Sequence, residues 1–509
     1  MHSTGRWERS LLAFVVTLTF AFGATALAER ELVVAQGIDV EGFDVHAHST
    51  TAVEAIHVNI FDYLIMRDAD GEWQPALATE WEPAGETAWR FVLRDDVVWH
   101  DGEPFTGEDV KFTFERVAND DTLDQWESFR QIREVEVVSD HEILIHTEFP
   151  DPILLNRVSR LGSSILPKHY IEEVGWEEFT VNPVGTGPFQ FVEWRRDDRI
   201  IMEAFDDHWR GRPHWDRLVH RTIPEDSTRV GELLTGGVHV ATNIPTHDAD
   251  RVEGSGVARV EPWPTTRIMM YVFNAEGEGT DDPRVREAID YAIDSEVLID
   301  ALMDGLGTPV RGRLSPGISG APMDLYDDQN YDPERSVALL EEAGYGPGEL
   351  TIKVEGPSGR YPLDAEIVEL TGVMLEQVGI DVEMEILEWS AFLDRVWNAD
   401  NITHMALIGL ANSMYDGWFA MRAILCDGTY RDRVNWCNEE FDALMNEAEQ
   451  EVDLERRTEL LSEAFYLVER ERPWITMFQL ENLAGVSADI DWSPRPDELL
   501  WMFGAQPAN

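Results

Sequence analysis

Segments with strand-like and helix-like patterning alternate along the 509-residue chain, which predicts an α/β or α+β fold with mixed sheets. Three observations carry this. Apolar residues alternate in several short segments, and others show helical apolar spacing behind clear capping residues. The 43% hydrophobic content is ample for more than one core. The length suits two or three domains, and no internal repeat or low-complexity linker divides them. Several chain crossings or short hinges are therefore expected between domains.

"WRFVLRDDVVWHDG" (89–102) and "REVEVVSDHEILIHTEF" (133–149) read as strands separated by turns. Thr106 and Asp109 form a capping box ahead of Val110, Phe114 and Val117. Asp282 and Asp332 each stand before a proline, Pro283 and Pro333, that opens a helix, and Gly344 stops the second one. "DLERRTELLSEAFYLVERER" is a long amphipathic helix ending at Pro473.

The first residues read as an address. Arg6 and Arg9 precede the apolar run "LLAFVVTLTFAFGATA", and "ALA" at 26–28 supplies a cleavage site, so 1–28 is expected to be a signal peptide cut near Ala28. The apolar run is short for a membrane span, and no cysteine follows it, which argues against a lipid anchor. Net charge is −58, from 98 acidic against 40 basic residues. Such a chain is repelled by nucleic acid and anionic membrane surfaces. The acids are spread along the chain and only Lys111, Lys168 and Lys353 are lysines, the composition of a halophile's exported protein. Molar salt would screen the self-repulsion.

Cys426 and Cys437, in an exported chain, favour a disulfide closing a short loop, with two unrelated thiols as the alternative. Catalytic motifs are wanting. No lysine follows a glycine as a P-loop requires, and "GTGPFQ" (185–190) lacks the third glycine of a dinucleotide fingerprint. "HEILIH" (141–146) misses zinc-protease spacing and lies in an expected strand. "HAH" (46–48), with His57 following, places two side chains on one strand face, as polar surface or as metal or haem ligands. Neither a metal site nor a cofactor is expected. "GLANSMYDGWFAMRAIL" (409–425) sets the lone carboxylate of Asp416 among Met414, Tyr415, Trp418 and Phe419. A walled acid needs a cationic or hydrogen-bonding partner, and Arg422 is the nearest arginine. Asp416 either meets a ligand or caps the helix that follows.

Six segments in order resemble the extracellular solute-binding proteins, family 5, of ABC importers for peptides, nickel and related solutes. They are 75–117 with its Trp99–Gly102 turn, "NPVGTGPFQF" (182–191), "DDHWRGRPHWDRLVHRTI", "YVFNAEGEGTDDPRVREAIDYAID", "YDPERSVALLEEAGY" and the block from Cys437 to Phe478. The resemblance implies a bilobed periplasmic-binding-protein-like fold (type II, cluster C) with discontinuous lobes joined by a hinge. Lobe 1 would be 29–50, 182–265 and 478–509, with a subdomain inserted at 51–181, and lobe 2 would be 266–477. It also implies a receptor rather than an enzyme, acting as a monomer, that hands di- or oligopeptides to an ABC permease and ATPase. Some dipeptide-binding relatives carry a disulfide where Cys426 and Cys437 stand. In peptide-binding relatives a second-lobe acid takes the peptide ammonium, and Asp416 is the matching position. Tyr415, Trp418 and Trp389 would be apolar walls, Asn412 a backbone partner, and Arg422 or Arg313 a carboxylate receiver. The usual proline soon after the acid is absent here, where the chain reads "DGWFAMR". The same fold with another solute (a nickel chelate, haem, glutathione or an oligosaccharide) and a secreted hydrolase are the alternatives.

Overall fold

One mixed sheet runs through most of the molecule, a computed structural model that describes residues 30–508 apart from 69–70, 316–317, 319, 322, 328–329, 399–400 and 413. The export segment expected at 1–28 lies outside the described residues. In chain order its main strands are β1 (Glu31–Gln36), β2 (Phe189–Arg195), β3 (Arg199–Ala204), β4 (Arg217–Thr222), β5 (Val240–Ala241), β6 (Ala258–Phe273), β7 (Thr351–Ser358), β8 (Asp381–Glu388), β9 (Met405–Leu410) and β10 (Trp474–Ser487). Their order across the sheet is β8-β7-β9-β6-β10-β5-β1-β4-β3-β2, with Gly307–Pro309 pairing on β10 off this path.

The long antiparallel ribbon β6–β10 joins two halves of this sheet. Ala258–Pro264 pairs with Glu481–Ser487 beside β5 and β1, whereas Ile268–Val272 pairs with Trp474–Gln479 beside β9. The register breaks between Pro264 and Ile268, where proline removes a ladder donor. Thr265 and Gln479 span the break: Thr265 Oγ1 donates to the Leu480 carbonyl and Gln479 Nε2 to the Thr265 carbonyl, both at 2.7 Å. Separate apolar cores flank the halves. Leu32, Phe43, Phe61, Leu218, Val486 and Met502 belong to one, while Met269, Ile289, Val354 and Phe478 belong to another.

A four-stranded antiparallel sheet, in the order Ala78–Pro83, Ala88–Leu93, Glu142–Thr147, Ile132–Ser139, packs on the helix Gly107–Asn119 around Phe91, Phe114 and Ile145. Its last two strands are the hairpin expected at 133–149, with Ile143 and Ile145 inward and His146 on the other face. The capping residues behave as their chemistry requires. Thr106 and Asp109 close their box, Asp282 and Asp332 accept from Arg284 N and Arg335 N, and Gly344 is left-handed. Asp453 caps Leu454–Glu471, which ends just before Pro473. Among the described residues no helix is long and apolar enough to cross a membrane.

The Gly-Thr-Gly-Pro turn is shaped by contact more than by torsion. A Cβ on Gly185 would stand 1.9 Å from the Ile60 carbonyl oxygen, and one on Gly187 2.7 Å from it. His100 fixes the same turn, accepting from Gly185 N at Nδ1 and meeting the Gly187 carbonyl through Nε2. The Trp99–Gly102 turn and the glycine turn, distant in sequence, form one joint.

Candidate functional site

Three parallel neighbours, β7, β8 and β9, end at one side of a cavity of about 250 Å³. The carboxyl ends of parallel strands are a common place for ligands, because the following loops splay apart there. Beyond β7 come Arg360 and Tyr361, beyond β8 come Trp389 and Trp397, and beyond β9 come Phe419 and Arg422. The opposite side is built by Glu41, His48–Thr51, Asp124, Gln125 and Leu161.

Each wall is held from behind. Asp364 accepts from four backbone N–H groups, those of Gly359, Arg360, Tyr361 and Ala365, and so fixes the loop that presents Arg360. The Tyr361 hydroxyl donates to the Gly409 carbonyl at 3.0 Å. Gly409 admits this approach, since a Cβ there would lie 2.9 Å from the tyrosine ring. Cys426 and Cys437 form a disulfide with Cα atoms 4.8 Å apart, and the loop it closes carries Thr429, Tyr430 and Arg433 to the cavity. Thr429 N donates to Glu127 Oε1 at 2.8 Å, and Arg422 Nη2 donates to Ser128 Oγ at 3.0 Å. Arg267 Nη2 reaches Thr51 Oγ1 at 2.7 Å and Glu498 Oε2 at 2.5 Å. These bonds tie the two sides of the cavity together.

The electrostatics are lopsided for so acidic a chain. Five arginines line the cavity, at 267, 313, 360, 422 and 433, against Glu41 and Asp124, which are exposed and stand at its rim. Arg267 is neutralised by Glu498. Arg433 donates to the Trp397 carbonyl, and Arg422 to the Phe419 carbonyl with Glu127 3.9 Å away. Arg313 and Arg360 are 6% and 8% exposed, and neither guanidinium has a hydrogen-bonded or ion-paired partner among the described residues. Each has ring faces near it instead: Trp474 at 5.6 Å from Arg313, Tyr361 at 4.8 Å and Trp389 at 5.6 Å from Arg360. Burial pushes Arg313, Arg360 and Arg422 down to about 10, which leaves them charged at neutral pH. Desolvation pushes Glu41 up, with the charge of Asp124 adding to it, and desolvation likewise raises Asp124.

Of the residues singled out in the sequence, Arg313, Trp389 and Arg422 line this cavity. Asp416, Asn412, Tyr415 and Trp418 do not. The partner sought for Asp416 belongs to the chain itself: Arg457 grips its carboxylate in two bonds of 2.5 and 2.9 Å. The same carboxylate accepts from Trp418 N and Phe419 N, so Asp416 caps Gly417–Met421, and both members of the pair are 3% exposed. An ammonium-reading role for Asp416 therefore gives way to a structural one, because its acceptor positions are taken. Asn412 brackets the same turn by bonding both the N–H and the carbonyl of Asp416. Trp418 is buried against Arg157, and Tyr415 is left-handed with Arg67 5.4 Å over its ring.

Arg360, Tyr361, Trp397 and Tyr430 were not anticipated. An arginine–aromatic pair in the Gly-Pro-rich loop "PSGRYP", just after a parallel strand, was the available signal. The "HAH" segment also departs from expectation. His46 lies in a turn, and His46, His48 and His57 are buried rather than polar surface. His48 Nε2 meets His57 Nδ1 at 3.3 Å, and His46 Nδ1 meets Arg116. Burial holds His46 and His48 down to about 3 and about 4. Among the described residues no group of three or more His, Cys, Asp or Glu could hold a metal ion. Both nitrogens of the cavity histidine, His48, are engaged, by His57 and by Thr50 N.

A cavity at strand ends, walled by rings and fixed charges, in a sheet whose halves meet through one ribbon, is the arrangement a solute-binding protein needs. Comparison with known proteins agrees. The model of the bacterial extracellular solute-binding proteins, family 5 (middle region) matches residues 72–431, and the chain belongs to that family. Its members are solute-binding proteins rather than enzymes. The dipeptide-binding protein of Escherichia coli (strain K12) is 27% identical over 495 residues, covering 92% of each chain. The glutathione-binding protein of Salmonella paratyphi A is 25% identical over 462 residues, covering 89% of each. The crystal structure of a dipeptide binding protein from Pseudoalteromonas sp. SM9913 in complex with Met-Leu superposes with a TM-score of 0.87 at 25% identity, covering 94% of this chain and 100% of that one.

Proposed function

We propose that this chain is the substrate-binding receptor of an ABC importer, capturing di- or oligopeptides in the periplasm and delivering them to a membrane permease and its ATPase. The observation that carries the reading is the cavity walled by Trp389, Trp397, Tyr361 and Tyr430 and bridged by the bonds from Thr429 and Arg422 across to Glu127 and Ser128. Aromatic walls accept varied side chains, while fixed charges at the ends orient a backbone. Family membership and the dipeptide-binding relatives support the same cargo class.

Residues 1–28 export the protein and are removed near Ala28, and the acidic surface suits a saline exterior. Lobe 1 comprises 29–50, 182–265 and 478–509 with 51–181 inserted, and lobe 2 comprises 266–477. The hinge is the β6–β10 ribbon at its register break beside Thr265 and Gln479. Closure about this hinge brings Arg422 and Thr429 onto the 127–128 segment, so binding energy offsets the cost of bringing the lobes together. Capture needs no covalent step.

Calorimetric titration of the mature protein in molar KCl with di- to pentapeptides tests the reading. Saturable one-to-one binding of a peptide is the expected result. Absence of heat across the peptide series, from protein that melts cooperatively, would remove peptides as cargo.

A further inference from the structure

The cavity is lined by two cationic side chains that no described residue neutralises. Arg360 stands at the end of β7 against Tyr361 and Trp389, and the charge it feels most is that of Arg267, which Glu498 already holds. Arg313 stands against Trp474, close to Tyr430 and Arg422. The two reach the cavity from different elements, Arg360 on the loop after β7 and Arg313 on the segment after Gly307–Pro309, and each lies against its own ring. Both are more than nine-tenths buried and without a polar partner among the described residues; Nε and Nη1 of Arg313 and Nε of Arg360 have no accessible surface, so a solute meets Arg313 at Nη2 and Arg360 at its two Nη atoms.

A buried unpaired guanidinium destabilises a fold. In a chain with 98 acids, a shortage of carboxylates does not explain two of them in one cavity. Elsewhere the same protein answers buried arginines with acids, as Arg160 with Glu54 and Arg457 with Asp416. The acids that do line the cavity, Glu41 and Asp124, are exposed, and Tyr361, Trp389, Trp397 and Tyr430 line it with the arginines.

We infer that the solute is a small dianion bearing two carboxylates, one received by Arg360 and the other by Arg313 with Arg422 beside it. An amino group, where the solute has one, faces Glu41 and Asp124 at the mouth. In the terms of the importer reading, on which this rests, the preferred cargo is an acidic peptide or peptide-sized dicarboxylate rather than a dipeptide with neutral side chains. A carboxylate can take paired hydrogen bonds from the two Nη groups of Arg360 and one from Nη2 of Arg313, and such a charge-assisted contact, shielded from water, discriminates strongly against a ligand lacking the group.

The test is calorimetric titration of the mature protein in molar KCl with Ala-Glu, Ala-Gln, glutathione and glutarate. Ala-Glu and Ala-Gln have nearly the same shape and differ by one charge. The inference expects Ala-Glu to bind at least about tenfold tighter. That preference should vanish in whichever of Arg313→Gln and Arg360→Gln removes the receiver of the side-chain carboxylate, while the other variant weakens both dipeptides alike, each checked for folding by thermal melting. Equal affinity for the two dipeptides in the unaltered protein overturns the inference without need of any variant, as does a preference that survives both substitutions. If neutral dipeptides bind and no anionic probe does, the receptor reading stands and the dianion falls. If glutarate binds through Arg313 and Arg360 while no peptide binds, the dianion stands and the peptide cargo falls. If nothing binds, both fall.

Discussion

Asp416 and Arg313 are both buried charged side chains on loops beside the same apolar core, and they differ in what meets their charge. Asp416 has a bidentate arginine and two helix N–H groups. Arg313 has the face of Trp474 and no polar partner among the described residues. A buried charge alone therefore does not mark a binding site. What marks it is a buried charge that the fold leaves unanswered and turned toward a cavity.

The sharpest way to break this contrast is at the satisfied pair. Asp416→Asn leaves Arg457 buried beside a neutral amide and weakens the cap of Gly417–Met421. It should cost about 3–5 kcal/mol of stability, read by denaturant unfolding, with no change in which ligands bind. A loss below about 1 kcal/mol would mean that the pair is not the structural unit described. The disulfide comes next in size. Removing the bond between Cys426 and Cys437 frees the loop that carries Thr429, Tyr430 and Arg433, and loop-closure entropy puts the loss at about 3 kcal/mol. A Cys426→Ser/Cys437→Ser double variant should also bind its solute more weakly, because part of the cavity wall must then be ordered on binding. Unchanged affinity would show that the Thr429–Glu127 contact holds the loop by itself.

The two regions were unequally legible in the sequence, and for a physical reason. Capping boxes, proline-started helices and the 133–149 hairpin are encoded over a few residues, so they could be read directly. The bilobed class followed from the order of six local segments. The site depends on pairs separated by long stretches of chain. Asp416 finds Arg457 41 residues on, and Arg422 finds Ser128 294 residues away. Nothing local tells a satisfied acid from a waiting one. Arg360 was overlooked because its loop has ordinary turn composition, and only the parallel pairing of β7 with β8 and β9 brings that loop to the cavity. Arg313, Arg422 and Trp389 were reached by chemistry of side chain alone, which explains why they stood beside four others that turned out to serve the 412–421 turn and its packing.

Neutral buried bases extend the contrast and give a pH dependence. His220 on β4 is buried, neither ring nitrogen has a hydrogen-bond partner among the described residues, and desolvation alone holds it down to about 3, with His100 held at about 4. The folded values lie below the ordinary one of 6.5, so the unfolded chain binds protons first as pH falls. Stability is then full above about pH 6.5 and declines toward pH 3. His220→Leu should flatten that decline by one proton, about 1.4 kcal/mol per pH unit, in melting curves taken between pH 6 and 4. An unaltered slope would place the proton uptake elsewhere.

The smallest expected effect separates the two regions most cleanly, because its sign is opposite to that at Asp416. Arg313→Met replaces a buried guanidinium that has no polar partner among the described residues with an apolar chain of similar length beside Trp474 and Leu314. Nothing is left unsatisfied by the exchange, and a desolvated charge is removed. The ligand-free protein should therefore gain about 1 kcal/mol of stability. Saturating solute should reverse the ranking, since it stabilises only the chain that can receive its carboxylate. Thermal melting of both proteins with and without Ala-Glu reads this crossing directly. A destabilised empty variant would show that Arg313 has a structural partner, and the contrast with Asp416 would then collapse.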